Sequence, residues 1–232
     1  MLEGKIMPNA LIIGASRGLG RALAEEYLAR GWHVLVTVRD RQSLADMSLR
    51  HEDDLEVFDL EITDRDATFA LAEILRGRSL DLLFVSAGIF GPVDLSFKDL
   101  GQDKFDEIML VNVLAPLRII DTLIDLVPND GTVAVMSSGV ASGAQNAGGN
   151  FEPYRMSKGA LNLGLRSIAA RFEDSGRTFL AIAPGWVKTD MGGEDAPLTP
   201  QESARGIADA ILARRGAGGV GFIDYENNVI PW

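Results

Sequence analysis

The stretch Ala10-Leu11-Ile12-Ile13-Gly14-Ala15-Ser16-Arg17-Gly18-Leu19-Gly20-Arg21-Ala22-Leu23 decides how this chain folds. Its first four residues form a continuous apolar run, which is typical of a strand buried on both faces. Its second half has apolar residues at helical spacing, and three glycines lie on the turn between the two halves. A β-branched run, residues 33–38, follows the predicted helix. This order of strand, glycine turn, helix and strand predicts a dinucleotide-binding fold.

The glycine turn is suited to hold phosphate groups. The first N–H groups of a helix have no partner within the helix, and an anion placed against them satisfies these donors and the helix dipole. Glycine is needed there because a Cβ atom would hold the phosphates away from the backbone. A glycine cluster alone could be a tight loop, so the prediction depends on its position between a buried strand and a helix.

Predicted strands and helices alternate along the rest of the chain. Such alternation forms a parallel sheet through right-handed crossovers. We therefore expect an α/β fold, a doubly wound parallel sheet of about seven strands with helices on both faces. The further strands are predicted at 33–38, 55–58, 80–85, 132–136, 179–183 and 221–224, and the helices at 43–47, 64–76 with Thr63 as the cap, 105–127, 154–173 and 199–215.

Length and charge limit the class of protein. With 232 residues and 47% apolar content, we expect one domain spanning 1–232, with 1–6 as a loose leader and Met7 as an alternative start. The net charge of −11 disfavours a nucleic-acid or anionic-membrane partner. No apolar run reaches the ~20 residues that cross a bilayer, and no signal peptide precedes the first strand, so we expect a cytoplasmic protein. Because the chain has no cysteine and only two histidines, His33 and His51, we expect no metal site.

Small and polar residues follow four consecutive predicted strands. In an open parallel sheet, ligands bind beyond the carboxyl ends of the strands. Each group by itself could be ordinary turn chemistry, but four of them at one sheet edge indicate a site. The groups are Asp59-Leu60, Ser86-Ala87-Gly88, Ser137-Ser138 and the segment from Pro184 to Thr189.

Tyr154 and Lys158 begin a predicted helix at that same sheet edge. Their i,i+4 spacing places the phenol and the ammonium group on one helix face. A nearby positive charge favours phenolate, so we expect the pKa of Tyr154 to lie below its usual value of about 10. A Tyr-x-x-x-Lys pair is often only a surface pair, and its place after Ser138 is what favours a catalytic role.

The pattern Gly14-x-x-x-Gly18-x-Gly20 together with Tyr154-x-x-x-Lys158 resembles the short-chain dehydrogenases/reductases, and the resemblance extends from residue 11 to residue 224. It implies that Tyr154 is the general acid in reduction and the general base in oxidation, and that Lys158 lowers its pKa and holds the nicotinamide ribose. It further implies that Ser138 hydrogen-bonds the substrate oxygen and that Asn112 supports a proton-relay water. Asn112 could equally be a buried amide that hydrogen-bonds the backbone, and one residue can fill both roles.

The resemblance also implies a cofactor site. In this site, Asp59 accepts a hydrogen bond from the adenine amino group, and residues 86–88 lie beside the adenosine ribose. Val187 and Thr189 hold the carboxamide of the nicotinamide. The family usually has Thr where this chain has Ile13, and Asn-Asn where it has Val85-Ser86. The full set is Gly14, Ser16, Arg17, Gly18, Leu19, Gly20, Arg39, Asp59, Leu60, Ser86, Ala87, Gly88, Tyr154, Lys158, Pro184, Gly185, Val187 and Thr189.

The end of the second strand indicates which dinucleotide is bound. An NAD enzyme of this fold places an acid there to accept both ribose hydroxyls, and such an acid repels a 2′-phosphate. Here Val38 occupies that position, Arg39 follows, and Arg17 adds a second cation, so we expect NADP(H). Asp40 is the alternative, because it could turn back to the ribose.

The segments 184–193, 198–203 and 230–232 resemble a branch of the family, the C-factor-like and sniffer-type carbonyl reductases. The resemblance implies an NADP(H)-dependent carbonyl reductase or alcohol dehydrogenase; a cofactor-occupied signalling protein and an acyl-carrier-protein ketoreductase remain alternatives. About three residues are added before Tyr154, within 144–151, where we expect a border of the substrate pocket. The predicted helix 105–127 carries an apolar stripe that could extend past what one domain covers, formed by Ile108, Val111, Leu114, Ala115, Ile119 and Leu123. The family commonly pairs this helix and the next across a two-fold axis, so we expect a homodimer or homotetramer, with a monomer as the alternative. Candidate pocket residues suggest an apolar or aromatic substrate: Phe90, Phe151, Met156, Trp186 and Met191.

Overall fold

The computed structural model describes residues 7–92 and 95–232, so the expectation for residues 1–6 lies outside the described part of the chain. The strands are β1 (Asn9–Ile13), β2 (His33–Val38), β3 (Leu55–Asp59), β4 (Leu82–Val85), β5 (Thr132–Met136), β6 (Thr178–Ala183) and β7 (Gly219–Asp224). The α-helices are α1 (Gly18–Ala29), α2 (Ala45–Arg50), α3 (Arg65–Ile74), α4 (Gln102–Met109), α5 (Ala115–Leu123), α6 (Glu152–Ala169) and α7 (Pro200–Arg214).

In the described part of the chain, all seven strands pair in parallel, in the order β3-β2-β1-β4-β5-β6-β7. The central strand β1 pairs with β2 on one side and with β4 on the other. The direction of winding reverses between β1 and β4, and such a switch point opens a crevice beyond the carboxyl ends of the strands. The predicted doubly wound parallel sheet is confirmed.

Alternate residues of β1 enter two different cores. Leu11 and Ile13 pack in a cluster with α3, α5 and α6, whereas Ala10 and Ile12 pack in a cluster with α1 and α7. Side chains of a strand alternate between the two faces of the sheet, so a strand covered on both sides must be apolar throughout. This explains the continuous apolar run in the opening stretch.

The predicted cap of the third helix is wrong. Asp64 caps α3, because its side chain accepts a hydrogen bond from the backbone N–H of Ala67 at 3.0 Å. The hydroxyl of Thr63 instead donates to Glu61. Either residue type suits a cap, and only the backbone path decides which one reaches the free N–H groups.

The long helix predicted at 105–127 is four consecutive elements. It begins earlier, as α4, passes through a π-helical segment at Leu110–Leu114, and continues as α5 into a 3-10 turn at Ile124–Leu126. Asn112 lies at the centre of the π segment, and its side chain bonds the backbone of another loop. Such π segments are rare and frequently occur at functional sites.

Candidate active site

A cleft of about 990 Å³ lies at the carboxyl ends of the strands. The glycine turn, the ends of β2 and β4, the start of α6 and the loop after β6 form its walls. Fifteen of the proposed cofactor residues line it: Gly14, Ser16, Arg17, Gly18, Leu19, Gly20, Arg39, Leu60, Ser86, Ala87, Gly88, Tyr154, Lys158, Pro184 and Thr189.

Close packing makes the glycines of the turn necessary. Gly14 has a left-handed φ of +87°, and a Cβ there would lie 2.7 Å from the Cβ of Ala87. A Cβ on Gly20 would collide with the carbonyl oxygen of Gly14. Within the described residues, no side chain caps the start of α1, where Arg17 is the N-cap residue. The turn therefore leaves a shallow cradle beside uncapped helix N–H groups, which fits a diphosphate.

Two arginines line the cleft near the glycine turn and the end of β2. Arg39 lines it, whereas Asp40 caps a short 3-10 turn by accepting from the backbone N–H of Gln42 at 2.9 Å. The alternative in which Asp40 turns to the ribose is therefore not the arrangement observed. Arg17 also lines the cleft, and its guanidinium forms an exposed ion pair with Asp190.

Three of the proposed cofactor residues do not line the cleft. Asp59 accepts from Nε of Arg41 at 2.7 Å and is exposed beside the cleft residue Leu60. Val187 is buried. A Cβ on Gly185 would press against Leu198 and Tyr225, so that glycine serves the packing of the loop after β6.

Tyr154 and Lys158 are both buried at the end of the cleft. Nζ of Lys158 donates to the carbonyl oxygen of Met136 at 2.8 Å and lies 5.8 Å from the centre of the Tyr154 ring. Burial raises the pKa of Tyr154 to about 12, and an interaction with the side chain of Ser138 opposes this shift. Burial also lowers the pKa of Lys158 to about 8. The expected lowering of the tyrosine pKa is wrong because desolvation of the phenol is the largest influence on it, ahead of the opposing interaction with Ser138.

Asn112 is fully buried, and each N–H of its side-chain amide donates to another group of the protein. Nδ2 donates to the carbonyl oxygen of Ile89 at 2.8 Å and to Oγ of Ser157 at 3.0 Å, and Oδ1 accepts from the backbone N–H of Ile89 at 2.8 Å. The reading of Asn112 as a buried amide bonding backbone is confirmed. It joins α6 and the π segment to the loop after β4, and the relay role stays a prediction.

Two phenylalanines pack beside the tyrosine, and neither is among the residues that line the cleft. The Phe90 ring meets that of Tyr154 edge to face at 4.7 Å, and Phe151 lies 5.4 Å from Phe90. Phe151, the N-cap residue of α6, has a left-handed φ of +58°, which is uncommon and costly for a residue with a Cβ atom. Met191 lines the cleft, and Trp186 is exposed in the same loop.

One wall of the cleft carries acidic side chains that were not predicted from the sequence. Asp103, Asp106 and Glu107 on α4 line the cleft. Their spacing of three and four residues is the available signal, because it places all three on one helix face. Of the pair Ser137-Ser138, Ser137 lines the cleft, whereas Ser138, to which the resemblance assigns the bond to the substrate oxygen, is not among the lining residues.

Two features are absent from residues 7–92 and 95–232. These residues contain no group of three or more His, Cys, Asp or Glu side chains placed to hold a metal ion. None of their helices combines the length and apolarity needed to cross a membrane.

The parallel sheet, the glycine turn at the switch point and the cleft beside it define a dinucleotide-binding protein. The chain belongs to the short chain dehydrogenase family, whose sequence model matches residues 8–198. The predicted family is therefore confirmed.

Individual relatives agree with this placement. The C-signal protein of Myxococcus xanthus is 32% identical over 155 residues, covering 66% of this chain and 93% of that protein. A short-chain dehydrogenase/reductase from Burkholderia multivorans with bound NADP superimposes with a TM-score of 0.95 at 43% identity, covering 97% of this chain and 100% of that one. A carbonyl reductase from Pseudomonas aeruginosa PAO1 in complex with NADP gives 0.91 at 37% identity with the same coverage.

Proposed function

We propose that this protein is an NADP(H)-dependent carbonyl reductase or alcohol dehydrogenase. Membership of the short chain dehydrogenase family makes it an oxidoreductase that uses a nicotinamide cofactor. The observation that carries the finer proposal is the buried phenol of Tyr154 at the end of the cleft, with Ser138 and Lys158 beside it. A buried hydroxyl that meets the substrate end of a cofactor cleft is placed to exchange a proton with a reacting oxygen.

The roles of the side chains follow from their protonation. With a pKa of about 12, Tyr154 holds its proton at neutral pH and can deliver it to a carbonyl oxygen during reduction. Ser138 donates a hydrogen bond to the same oxygen, and Lys158 brings positive charge near the phenolate that forms. When bound, the nicotinamide supplies the hydride.

The cofactor proposed is NADP(H). Two of the relatives with the same fold hold NADP, and in this chain Arg17 of the glycine turn and Arg39 after β2 line the cleft. Guanidinium groups bind phosphate through paired, charge-assisted hydrogen bonds, which supports recognition of a 2′-phosphate. Asp59, paired with Arg41 at the cleft edge, is proposed to meet the adenine.

The substrate proposed is a carbonyl compound with an apolar or aromatic substituent. Phe90 and Phe151 provide apolar surface next to Tyr154, and Met191 provides more from the facing loop. An apolar group gains free energy by leaving water for such a surface, whereas a charged one loses its hydration.

Turnover of NADPH with a panel of aldehydes and diketones tests the proposal. We expect oxidation of NADPH with balanced formation of alcohol, and higher kcat/KM for aromatic than for carboxylate-bearing members. Binding of NADPH without turnover of any member would favour a signalling role, for which similarity to the C-signal protein is the reason. Activity confined to acyl-carrier-protein substrates would favour the ketoreductase alternative, which the net charge of −11 opposes because such carriers are acidic.

A homodimer or homotetramer is proposed on the basis of α5 and α6. The apolar stripe noted on the predicted helix is mostly internal, since Ile108, Ile119 and Leu123 are buried, but Leu114 is 53% exposed and Leu163 on α6 is 66% exposed. Leu114 lines a shallow groove between the two helices, and Leu163 directly precedes Gly164, which lines the groove on α6. Exposed apolar side chains along a groove are typical of a contact between subunits.

Light scattering at micromolar concentration is expected to give a dimer or tetramer mass. Leu163→Glu would place a charge in the apolar contact and should lower the mass to that of a monomer. Leu49→Glu changes an equally exposed leucine on α2 and should leave the mass unaltered. A monomer mass for the unsubstituted protein would contradict the proposal.

A further inference from the structure

Three consecutive residues, of which Met136 ends β5 and Ser137 and Ser138 follow it, contact three residues on one face of α6. The carbonyl oxygen of Met136 accepts from Lys158 at 2.8 Å, and the side chain of Ser138 interacts with Tyr154. Between them, Oγ of Ser137 donates to Oδ1 of Asn162 at 2.6 Å. The helix residues are spaced four apart, so they form one row along α6.

We propose that Ser137 and Asn162 are positioning residues, whose hydrogen bond holds the end of β5 in register with α6 and thereby keeps Ser138 and Lys158 beside Tyr154. This inference rests on the proposed function, because it concerns the geometry of the same site. Neither residue is proposed to touch the reacting atoms.

The burial of Asn162 indicates a role beyond stability. Asn162 is 3% exposed and Ser137 is 1% exposed, and Leu161 and Leu165 on the same helix are buried too. Among the described residues, Nδ2 of Asn162 has no hydrogen-bond partner. A buried amide with an unpaired N–H group costs free energy that an apolar side chain would avoid. An asparagine here is therefore a poor choice for packing alone, and its bond to Ser137 is the interaction that it contributes.

The position of that bond explains why it bears on the chemistry. Ser137 directly precedes Ser138, where the chain leaves the sheet and enters the 3-10 turn Gly139–Ala141. The backbone N–H of Ser137 still donates to the carbonyl oxygen of Ile182 on β6, and the Ser138 hydroxyl accepts from the backbone N–H of Val140 in the turn. The bond from Ser137 to Asn162 adds the side-chain contact that holds this end of β5 against α6. Reacting groups must be held closely, since a displacement of about 1 Å can cost on the order of 10²-fold in rate.

The test compares Ser137→Ala, Asn162→Leu and the double variant with Ser137→Thr, which keeps the hydroxyl. We expect each single variant to lower kcat about tenfold or more, with NADPH affinity changed less than about threefold. The double variant should lose no more than the worse single one, because both remove the same bond. Ser137→Thr should recover most of the activity.

Thr178→Val is the matched control. It removes a buried hydroxyl that donates to the carbonyl oxygen of Arg214 at 3.0 Å, at the end of β6 remote from the cleft. We expect a lower melting temperature and an unaltered kcat. An equal loss of kcat in this control, or kcat within twofold of the unsubstituted protein in folded Ser137→Ala and Asn162→Leu, would overturn the inference.

Labelling of Lys158 by an amine-acylating reagent gives a readout that needs no turnover. Lys158 is 3% exposed and bonded to Met136, so we expect slow labelling in the unsubstituted protein and severalfold faster labelling in Asn162→Leu. The exposed Lys104 should label equally in both. Unaltered labelling of Lys158 would contradict the inference, whereas an inactive unsubstituted protein would contradict only the proposed function.

Discussion

Replacement of Tyr154 by phenylalanine is expected to lower kcat for carbonyl reduction by at least about 10²-fold. The substitution removes one hydroxyl, and the benzene ring can keep its edge-to-face contact with Phe90 at 4.7 Å. Loss of a positioned proton donor typically costs 10²- to 10⁴-fold in rate. Steady-state kinetics with an aldehyde, together with NADPH titration followed by fluorescence, measures the loss of rate separately from binding.

Tyr27→Phe is the matched control for this substitution. Tyr27 is as buried as Tyr154, but it packs in the cluster of α1, and its hydroxyl has no partner among the described residues. Its removal should leave kcat unaltered. Near-normal turnover in a folded Tyr154→Phe variant would show that another group supplies the proton.

The second large effect concerns the choice of cofactor. The unsubstituted protein is expected to prefer NADPH over NADH by about 10²-fold or more in kcat/KM. Charge-assisted hydrogen bonds contribute roughly 1.5–3 kcal/mol each, and Arg17 and Arg39 together offer two such groups to a 2′-phosphate. Solvent exposure and the ion pair of Arg17 with Asp190 reduce the free energy that these hydrogen bonds contribute, and the expected preference includes this reduction.

Arg39→Asp is expected to abolish the preference, because the new carboxylate repels the 2′-phosphate and accepts from the free ribose hydroxyls of NADH. Arg76→Asp makes the same change of charge at an exposed arginine on the turn after α3, outside the residues that line the cleft, and should preserve the preference. Equal efficiency with both cofactors in the unsubstituted protein would show that Asp40 governs the ribose despite its cap to Gln42.

Much of the site could be predicted because its residues are local in sequence. The spacing of Tyr154 and Lys158 places both on one face of any helix, and both line the cleft. The sign of the tyrosine pKa could not be predicted, since charge proximity and burial act in opposite directions. Burial dominates here, and it depends on everything that α6 packs against.

The amino-acid sequence alone determined the order of strands and helices, the glycine turn and the parallel sheet, because apolar periodicity and the steric needs of glycine act over a few residues. The tertiary structure decided which of two adjacent residues caps α3, that the long helix passes through a π segment at Asn112, and that Asp40 caps a turn. It also brought Ser137 against Asn162, 25 residues away. The caps by Asp64 and Asp40 are local bonds, but neighbouring residues could form them equally well, and the path of the folded backbone decides which one does. The partners of Asn112 and Asn162 lie at least 23 residues away along the chain, and no local pattern contains that information.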